Sequence, residues 1–348
     1  MAVDGRALLL CAGGGLGDSL IASVVARALR TRFARVDAFT LPAHRELLER
    51  VAEIDRVHVD DGGDMRAAAQ VLQSYAYDAC VVTWATSRTA RLAQLAAIPI
   101  RVGQSRRLYS HRFTHQVAVR SERGDVTTHW SQILLDYARA IGCDASDSVP
   151  RVTPTSADER EAGALLESLG IAGAYAILHP ANAVATERGL WPTVGWSALG
   201  RALRERFGMP LLVSGSAADA EIVAEIARDG GGIDIAGRTS IGAFAALAGR
   251  ARFFAGITTG SMHVAAAAGA PTVGIFPFQT DTPERWGPTG ERTATVRASY
   301  PCRPGERKET CPDYACVANL NVPRIVAAVE TLLARNEVAR RQESNPLA

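Results

Sequence analysis

Three places in this chain put chemistry-bearing residues directly after a short apolar run, where α/β proteins hold their ligands. The first is Gly13-Gly14-Gly15-Leu16-Gly17-Asp18, which follows the run Ala7–Ala12 and leads into a helix near Ser19. Glycines such as Gly15 and Gly17 allow a sharp turn and close ligand approach, and a helix amino terminus favours anionic groups. The spacing matches neither G-x-G-x-x-G nor G-x-x-x-x-G-K-[ST], which weakens dehydrogenase and triphosphate-loop readings. What remains is an acid, Asp18, at a strand-to-helix turn. It either caps the helix or serves a reaction, and the two roles compete for the same carboxylate oxygens.

The second place is Thr258-Thr259-Gly260-Ser261-Met262-His263, between the run ending at Ile257 and the small-residue helix Val264–Ala268. Threonine hydroxyls and unbonded N–H groups at a helix start suit a diphosphate. His263, in the first helical turn, either donates to a phosphate oxygen or packs internally. The third is His179-Pro180-Ala181-Asn182, with Arg188, Trp191 and Pro192 downstream. Arg188 either neutralises a departing diphosphate or is a solvated loop cation. Asp219, after Gly215-Ser216, either accepts from a ribose hydroxyl or caps the next helix.

Charge is also unevenly spread. Ala79–Ser121 holds no acidic residue and no lysine but seven arginines: Arg88, Arg91, Arg101, Arg106, Arg107, Arg112 and Arg120. Guanidinium forks suit carboxylates and phosphates, so a run without acidic partners reads either as a face for an anionic ligand or as a wetted surface. No D-x-D pair is present to hold a divalent ion beside a diphosphate. Cys302, Cys311 and Cys316 lack the repeated C-x-x-C of a zinc ribbon and read as thiols. The pattern calls for no metal and no cofactor.

The elements that must position these residues follow from periodicity. Short apolar runs alternate with amphipathic helical stretches, the mark of an α/β protein with parallel sheets. Strands are predicted at Ala7–Ala12, Val36–Phe39, Arg56–Val59, Ala79–Thr83 and Ile100–Gly103, with helices such as Ile21–Arg32 and Arg66–Gln73 between them. They recur at Tyr175–His179, Pro210–Ser214, Ile233–Ala236, Phe253–Ile257 and Thr272–Phe276. Cys143–Thr155, rich in Asp, Ser and Pro, reads as the linker between two doubly wound domains, 1–150 and 151–335, before a polar tail, 336–348. Two such domains would face each other across a central cleft.

A length of 348 residues suits two domains, and a net charge of +2 argues against nucleic acid as the main partner. The longest apolar stretch, Val264–Phe276, is broken by Gly269 and Pro271 and falls short of the ~20 residues a spanning helix needs. No targeting segment is visible, so a cytoplasmic location is expected.

Taken in order, Gly14-Gly15-Leu16-Gly17-Asp18, His179-Pro180 with Trp191-Pro192, Thr259-Gly260-Ser261-Met262-His263-Val264-Ala265-Ala266-Ala267 and Trp286-Gly287-Pro288 resemble the ADP-heptose:lipopolysaccharide heptosyltransferases of glycosyltransferase family 9. The cysteine-bearing tail from Pro301-Cys302 to Cys316 is similar to that of heptosyltransferase II-like members. The resemblance implies a GT-B fold of two Rossmann-like domains, the second holding the donor and the first the acceptor. It implies an inverting, metal-independent transfer with Asp18 as general base and Thr259, Gly260 and His263 at the donor diphosphate. It also implies a terminal helix crossing back to the first domain, placed in part of Ile325–Arg335.

On this reading Thr258, Ser261, Met262, Arg188, His179, Asn182 and Asp219 complete the donor set, and Gly15, Gly17, Arg101, Arg106, Arg107 and Arg112 the acceptor set. The partners are ADP-heptose or a related nucleotide sugar and an anionic lipopolysaccharide-type acceptor, with peripheral contact at the inner membrane. Three positions depart from the family pattern. Thr258 stands where the family has Asp, Gly189 where it has a lysine before Trp-Pro, and Asp219 where it has a glutamate near the ribose. The alternatives are a transferase of the same fold with another sugar nucleotide or a protein acceptor, or a sugar-nucleotide epimerase.

Overall fold

The structure, a computed structural model, describes residues 4–180, 191–302 and 311–344, with side chains up to residue 338. It divides into two compact units, Met1–Thr153 and Pro154–Ala348.

In the first unit six strands form one sheet: β1 (Arg6–Leu10), β2 (Arg35–Thr40), β3 (Arg56–Val59), β4 (Ala79–Val82), β5 (Ile100–Gln104) and β6 (His115–Val117). They are parallel throughout, in the order β3-β2-β1-β4-β5-β6. β1 and β4 are continuous apolar runs because helices cover both faces of a parallel sheet. The helix Leu16–Arg30 buries Leu20, Ile21, Val24, Val25 and Leu29. Leu8, Leu10, Val82, Leu72 and Leu92 belong to a second apolar cluster. Each such side chain stabilises the fold by about 1.5–3 kcal/mol when fully buried.

The second unit repeats the plan with β7 (Ala176–His179), β8 (Leu211–Val213), β9 (Ile233–Asp234), β10 (Phe254–Ile257), β11 (Thr272–Phe276) and β12 (Thr293–Arg297). The order is β12-β11-β10-β7-β8-β9, again all parallel. Counted within its own unit, each sheet runs 3-2-1-4-5-6, the dinucleotide-domain order. The chain therefore has the α/β GT-B class of fold, two Rossmann-like domains.

Ligands of such sheets bind beyond the carboxyl ends of the strands where the order reverses. Here that is the β1/β4 pair in one unit and the β7/β10 pair in the other. β6 and β12, each the last strand at one edge, were not among the predicted strands. Both alternate or lack apolar residues because an edge strand is half wetted, so neither shows as an apolar run. The helix Val322–Ser344 contains the stretch Ile325–Arg335. It buries Ile325, Val329, Leu332 and Leu333 within the second unit, against β11, β12 and the helix Thr193–Phe207.

Candidate active site

The glycine loop after β1 leads into the helix Leu16–Arg30, three residues before the start near Ser19 that the sequence suggests. Gly15 is therefore the N-cap, and Asp18 is the third helical residue of a capping box. Its Oδ2 accepts from the Gly15 N–H at 2.8 Å. The cap occupies Oδ2 alone, and among the described residues Oδ1 accepts no hydrogen bond. A Cβ on Gly14 would lie 2.6 Å from both Cβ and Oδ2 of Asp18, and one on Gly13 1.8 Å from the Trp84 carbonyl oxygen. The glycines are there for close approach.

Trp84 stands just past the end of β4 in the left-handed region, φ 50°, and its Nε1–H donates to the Asp18 carbonyl at 3.2 Å. The β4 end thereby pins the turn that carries the acid. Burial raises the Asp18 carboxyl above its usual range, opposed by the Gly15 N–H and the charge of His44.

In the second unit β10 extends into Thr258, whose N–H donates to the Ile275 carbonyl at 3.0 Å. Thr259 is the N-cap of the helix Gly260–Ala267, yet its hydroxyl makes no capping bond. The Thr259 Oγ1 is buried without a hydrogen-bond partner among the described residues. An orphaned hydroxyl beside the open N–H groups of Gly260 and Ser261 fits a polyanion at this helix start. His263 is buried in the first turn.

Two donor-site expectations need correcting here. Met262 is 0% exposed and its Sδ lies against Gly274 of β11, so it packs the core and does not face a ligand. His179 is likewise buried, stacked near Phe254 and Phe244, with Nδ1 2.9 Å from the Ser214 hydroxyl. Burial pushes its pKa down to about 4, against the charge of Asp219, so it is a neutral ring and no counter-charge to phosphate. Gly256 faces His179 across the β7–β10 ladder, where a Cβ would come within 2.9 Å of the histidine Cβ.

Asp219 does not cap the following helix Ala220–Gly230 with its side chain. It is the third residue of a capping box on the 3-10 turn Ala217–Asp219, where its Oδ2 accepts from the N–H of Ser216 at 2.8 Å and from the Ser216 hydroxyl. Asn182 and Arg188 lie outside the described residues.

A family model described as glycosyltransferase family 9 (heptosyltransferase) matches residues 65–315. The chain belongs to glycosyltransferase family 9. Solved structures agree on the fold. The Veillonella parvula glycosyl transferase family 9 structure has a TM-score of 0.81 at 19% identity, covering 96% of this chain and 99% of that one. The E. coli ADP-heptose lps heptosyltransferase II reaches 0.77 at 19% identity over 95% and 99%. The E. coli heptosyltransferase WaaC with ADP reaches 0.70 at 17% over 94% and 99%. A comparison with the curated proteins finds no match.

The arginines of this family 9 glycosyltransferase are less available than their sequence suggests, because acidic partners arrive from other segments. Arg88 forks onto Asp60, Arg107 pairs with Glu122 and Arg120 forks onto Asp136. Arg101 sits near the start of β5, at the opposite end of the sheet from Asp18. It donates to the carbonyls of Arg112 and Ile98, bracing the turn back to β6. Arg106 and Arg107 instead follow the carboxyl end of β5, the end that carries Gly15, Gly17 and Asp18. Residues the sequence did not flag are Trp84, Ser19 and His44. Trp84 directly follows a predicted strand, a signal that could have found it, whereas His44 has none.

Cys11, Cys80, Cys143, Cys311 and Cys316 are free thiols, with Cys316 packed in the core of the second unit and Cys311 Sγ accepting from the Tyr314 N–H. No described helix is long and apolar enough to cross a membrane.

Proposed function

We propose that this glycosyltransferase moves a heptose from ADP-heptose to an anionic acceptor of the lipopolysaccharide inner-core type by one inverting displacement. The observation that carries the reading is Asp18. It is an acid held by one oxygen at the carboxyl end of β1, where the strand order reverses, with its other oxygen uncommitted. Asp18 takes the proton of the acceptor hydroxyl as that oxygen bonds to the anomeric carbon. The bond from that carbon to the diphosphate oxygen breaks, and ADP departs with the electron pair. One displacement inverts the anomeric centre. The open N–H groups of Gly260 and Ser261 and the orphaned Thr259 hydroxyl are the groups suited to the charge building on the leaving diphosphate, with Arg188 as a further cation. On this reading Asp219 accepts from a ribose hydroxyl through Oδ1, its Oδ2 being held by Ser216.

The solved complex of WaaC with ADP supports an adenine nucleotide as the leaving group. Arg106 and Arg107, which follow the carboxyl end of β5, are the cations proposed for the acceptor, which would be met by peripheral contact at the cytoplasmic face of the inner membrane. Arg112 stands with Arg101 at the other end of the sheet and drops out of the acceptor set. A different donor sugar is the second reading, favoured by Thr258, a hydroxyl where the resemblance expects a carboxylate.

The test is nucleoside diphosphate release from a panel of ADP- and UDP-sugars, with and without heptose-deficient lipopolysaccharide. Acceptor-dependent ADP release from ADP-heptose is the expected result. Release from another donor alone selects the second reading, and isomerisation of a UDP-sugar without acceptor would make the chain an epimerase.

A further inference from the structure

Next to the proposed base stands a histidine that its sequence neighbourhood does not single out. His44 closes the 3-10 turn Pro42–His44 after β2 and is 6% exposed. Its Nδ1 lies 2.9 Å from the Ser19 hydroxyl, which in turn lies 3.3 Å from the Cys11 carbonyl oxygen. A carbonyl only accepts. Both bonds therefore form together when Ser19 donates to Cys11 and the Nδ1–H of His44 donates to Ser19. That tautomer leaves Nε2 to take a second proton, so the ring can become an imidazolium without losing Ser19. Ser19 follows Asp18 in the first turn of the helix Leu16–Arg30, so ring and carboxylate share one support.

We infer that His44 is a positioning residue for the Asp18 base. Through Ser19 it fixes the helical turn that presents the carboxylate, and as an imidazolium it supplies the neighbouring positive charge. This rests on the reading of Asp18 as base. Burial draws the ring below the ordinary histidine value while the Asp18 charge raises it, and the ring in turn favours the ionised Asp18. The two titrate as a pair.

Several other charged groups on the surrounding elements are paired. On the helix Arg45–Leu48 and just after it, Arg45 pairs with Glu49 and Arg50 with Glu46. On the Asp18 helix, Arg27 pairs with Glu53 and Asp147, and Arg30 with Asp55. On β2, Asp37 accepts from Tyr77, and at the end of β1 burial pushes the Cys11 thiol up to about 12, so it stays neutral.

The experiment compares pH–rate profiles of the full chain with those of His44→Gln and Ser19→Ala. In His44→Gln, kcat falls about tenfold above neutral pH, where the ring is uncharged, with donor KM unchanged. Its acid limb of kcat/KM moves about half a unit toward neutral, because the cation that favoured the carboxylate is gone. Ser19→Ala lowers kcat and leaves the acid limb in place. Profiles and kcat indistinguishable from wild type in both variants overturn the inference.

A second readout is independent of turnover and serves if His44→Gln does not fold. The NMR titration midpoint of the His44 ring falls in Asp18→Asn, and an unchanged midpoint overturns the coupling. Whether Asp18 is the base is read separately, from the turnover of that same variant.

Discussion

Asp18 and Asp219 stand in the same local frame in different units. Each is preceded four residues earlier by a glycine that a Cβ would drive into it, and each accepts through Oδ2 from the N–H three residues before. Each loop leaves a strand of a 3-2-1-4-5-6 sheet. The difference lies in what surrounds the frame. Asp18 follows the strand at the switch point, is held by Trp84 from β4, and has His44 nearby and a carboxyl raised by burial. Asp219 follows β8, one strand away from the switch, and its Oδ2 is shared with a second local donor, the Ser216 hydroxyl. The same capping motif thus sits in two different surroundings, one buried beside Trp84 and His44 and one bonded only to its own turn, and the neighbours from distant segments make the difference.

The sharpest way to break that comparison is Asp18→Asn, expected to lower kcat by about 10²–10⁴-fold, the usual worth of general-base assistance. The amide oxygen still accepts from Gly15, so donor affinity by calorimetry stays near wild type. Equal losses from Asp18→Asn and Asp219→Asn in kcat would erase the distinction.

The next effect is steric. Gly14→Ala places a methyl 2.6 Å from the Asp18 carboxylate oxygen and should cost about 10²-fold in kcat through misplacement of that group. Gly215→Ala meets Val223 Cγ2 at 2.8 Å and should appear as about 1–3 kcal/mol lost in chemical denaturation. Asp219→Asn then raises donor KM about tenfold, one weakened charge-assisted bond, with kcat nearly unchanged.

Titration tests the surroundings of Asp18 further. Asp18 has a folded-state pKa above the ordinary 3.8, so the acid limb of kcat/KM should lie above that value. For stability the sign is opposite to that of a salt-bridged carboxylate. The contribution of Asp18 is fully present below its unfolded pKa and is lost as pH rises through the raised folded one. Asp18→Asn should therefore raise the Tm at neutral pH, and a lowered Tm would contradict the burial argument. The smallest effect is Ser216→Ala, about 0.5–1.5 kcal/mol for one hydrogen bond to Asp219, read from denaturant midpoints.

Much of this was legible in the chain itself. β3 (Arg56–Val59) and β11 (Thr272–Phe276) match their predicted bounds, and the other predicted strands differ by one or two residues at one or both ends. β11 and the inner strands were legible because a strand buried on both faces is a contiguous apolar run, β3 because an edge strand alternates Arg-Val-His-Val. The glycine loop before Asp18 and the Thr259–His263 segment were legible for a related reason. Chemistry at a strand end is written in adjacent residues. The arginines of Ala79–Ser121 were misleading, since an ion pair such as Arg120–Asp136 spans segments that no local window joins. Met262 and His179 were misplaced because burial depends on what packs from above, Gly274 in one case and Phe244 with Phe254 in the other.

By itself the sequence determined the α/β alternation, two successive sheets and the loops that could carry an acid and a diphosphate, all consequences of short-range periodicity and turn chemistry. Only the tertiary structure decided which loops share a switch point. It alone gave Asp18 the company of Trp84 and His44, and it alone gave three of the seven clustered arginines, Arg88, Arg107 and Arg120, their acidic partners. Those outcomes arise from contacts between residues dozens of positions apart, whose geometry is set by strand order and not by spacing along the chain.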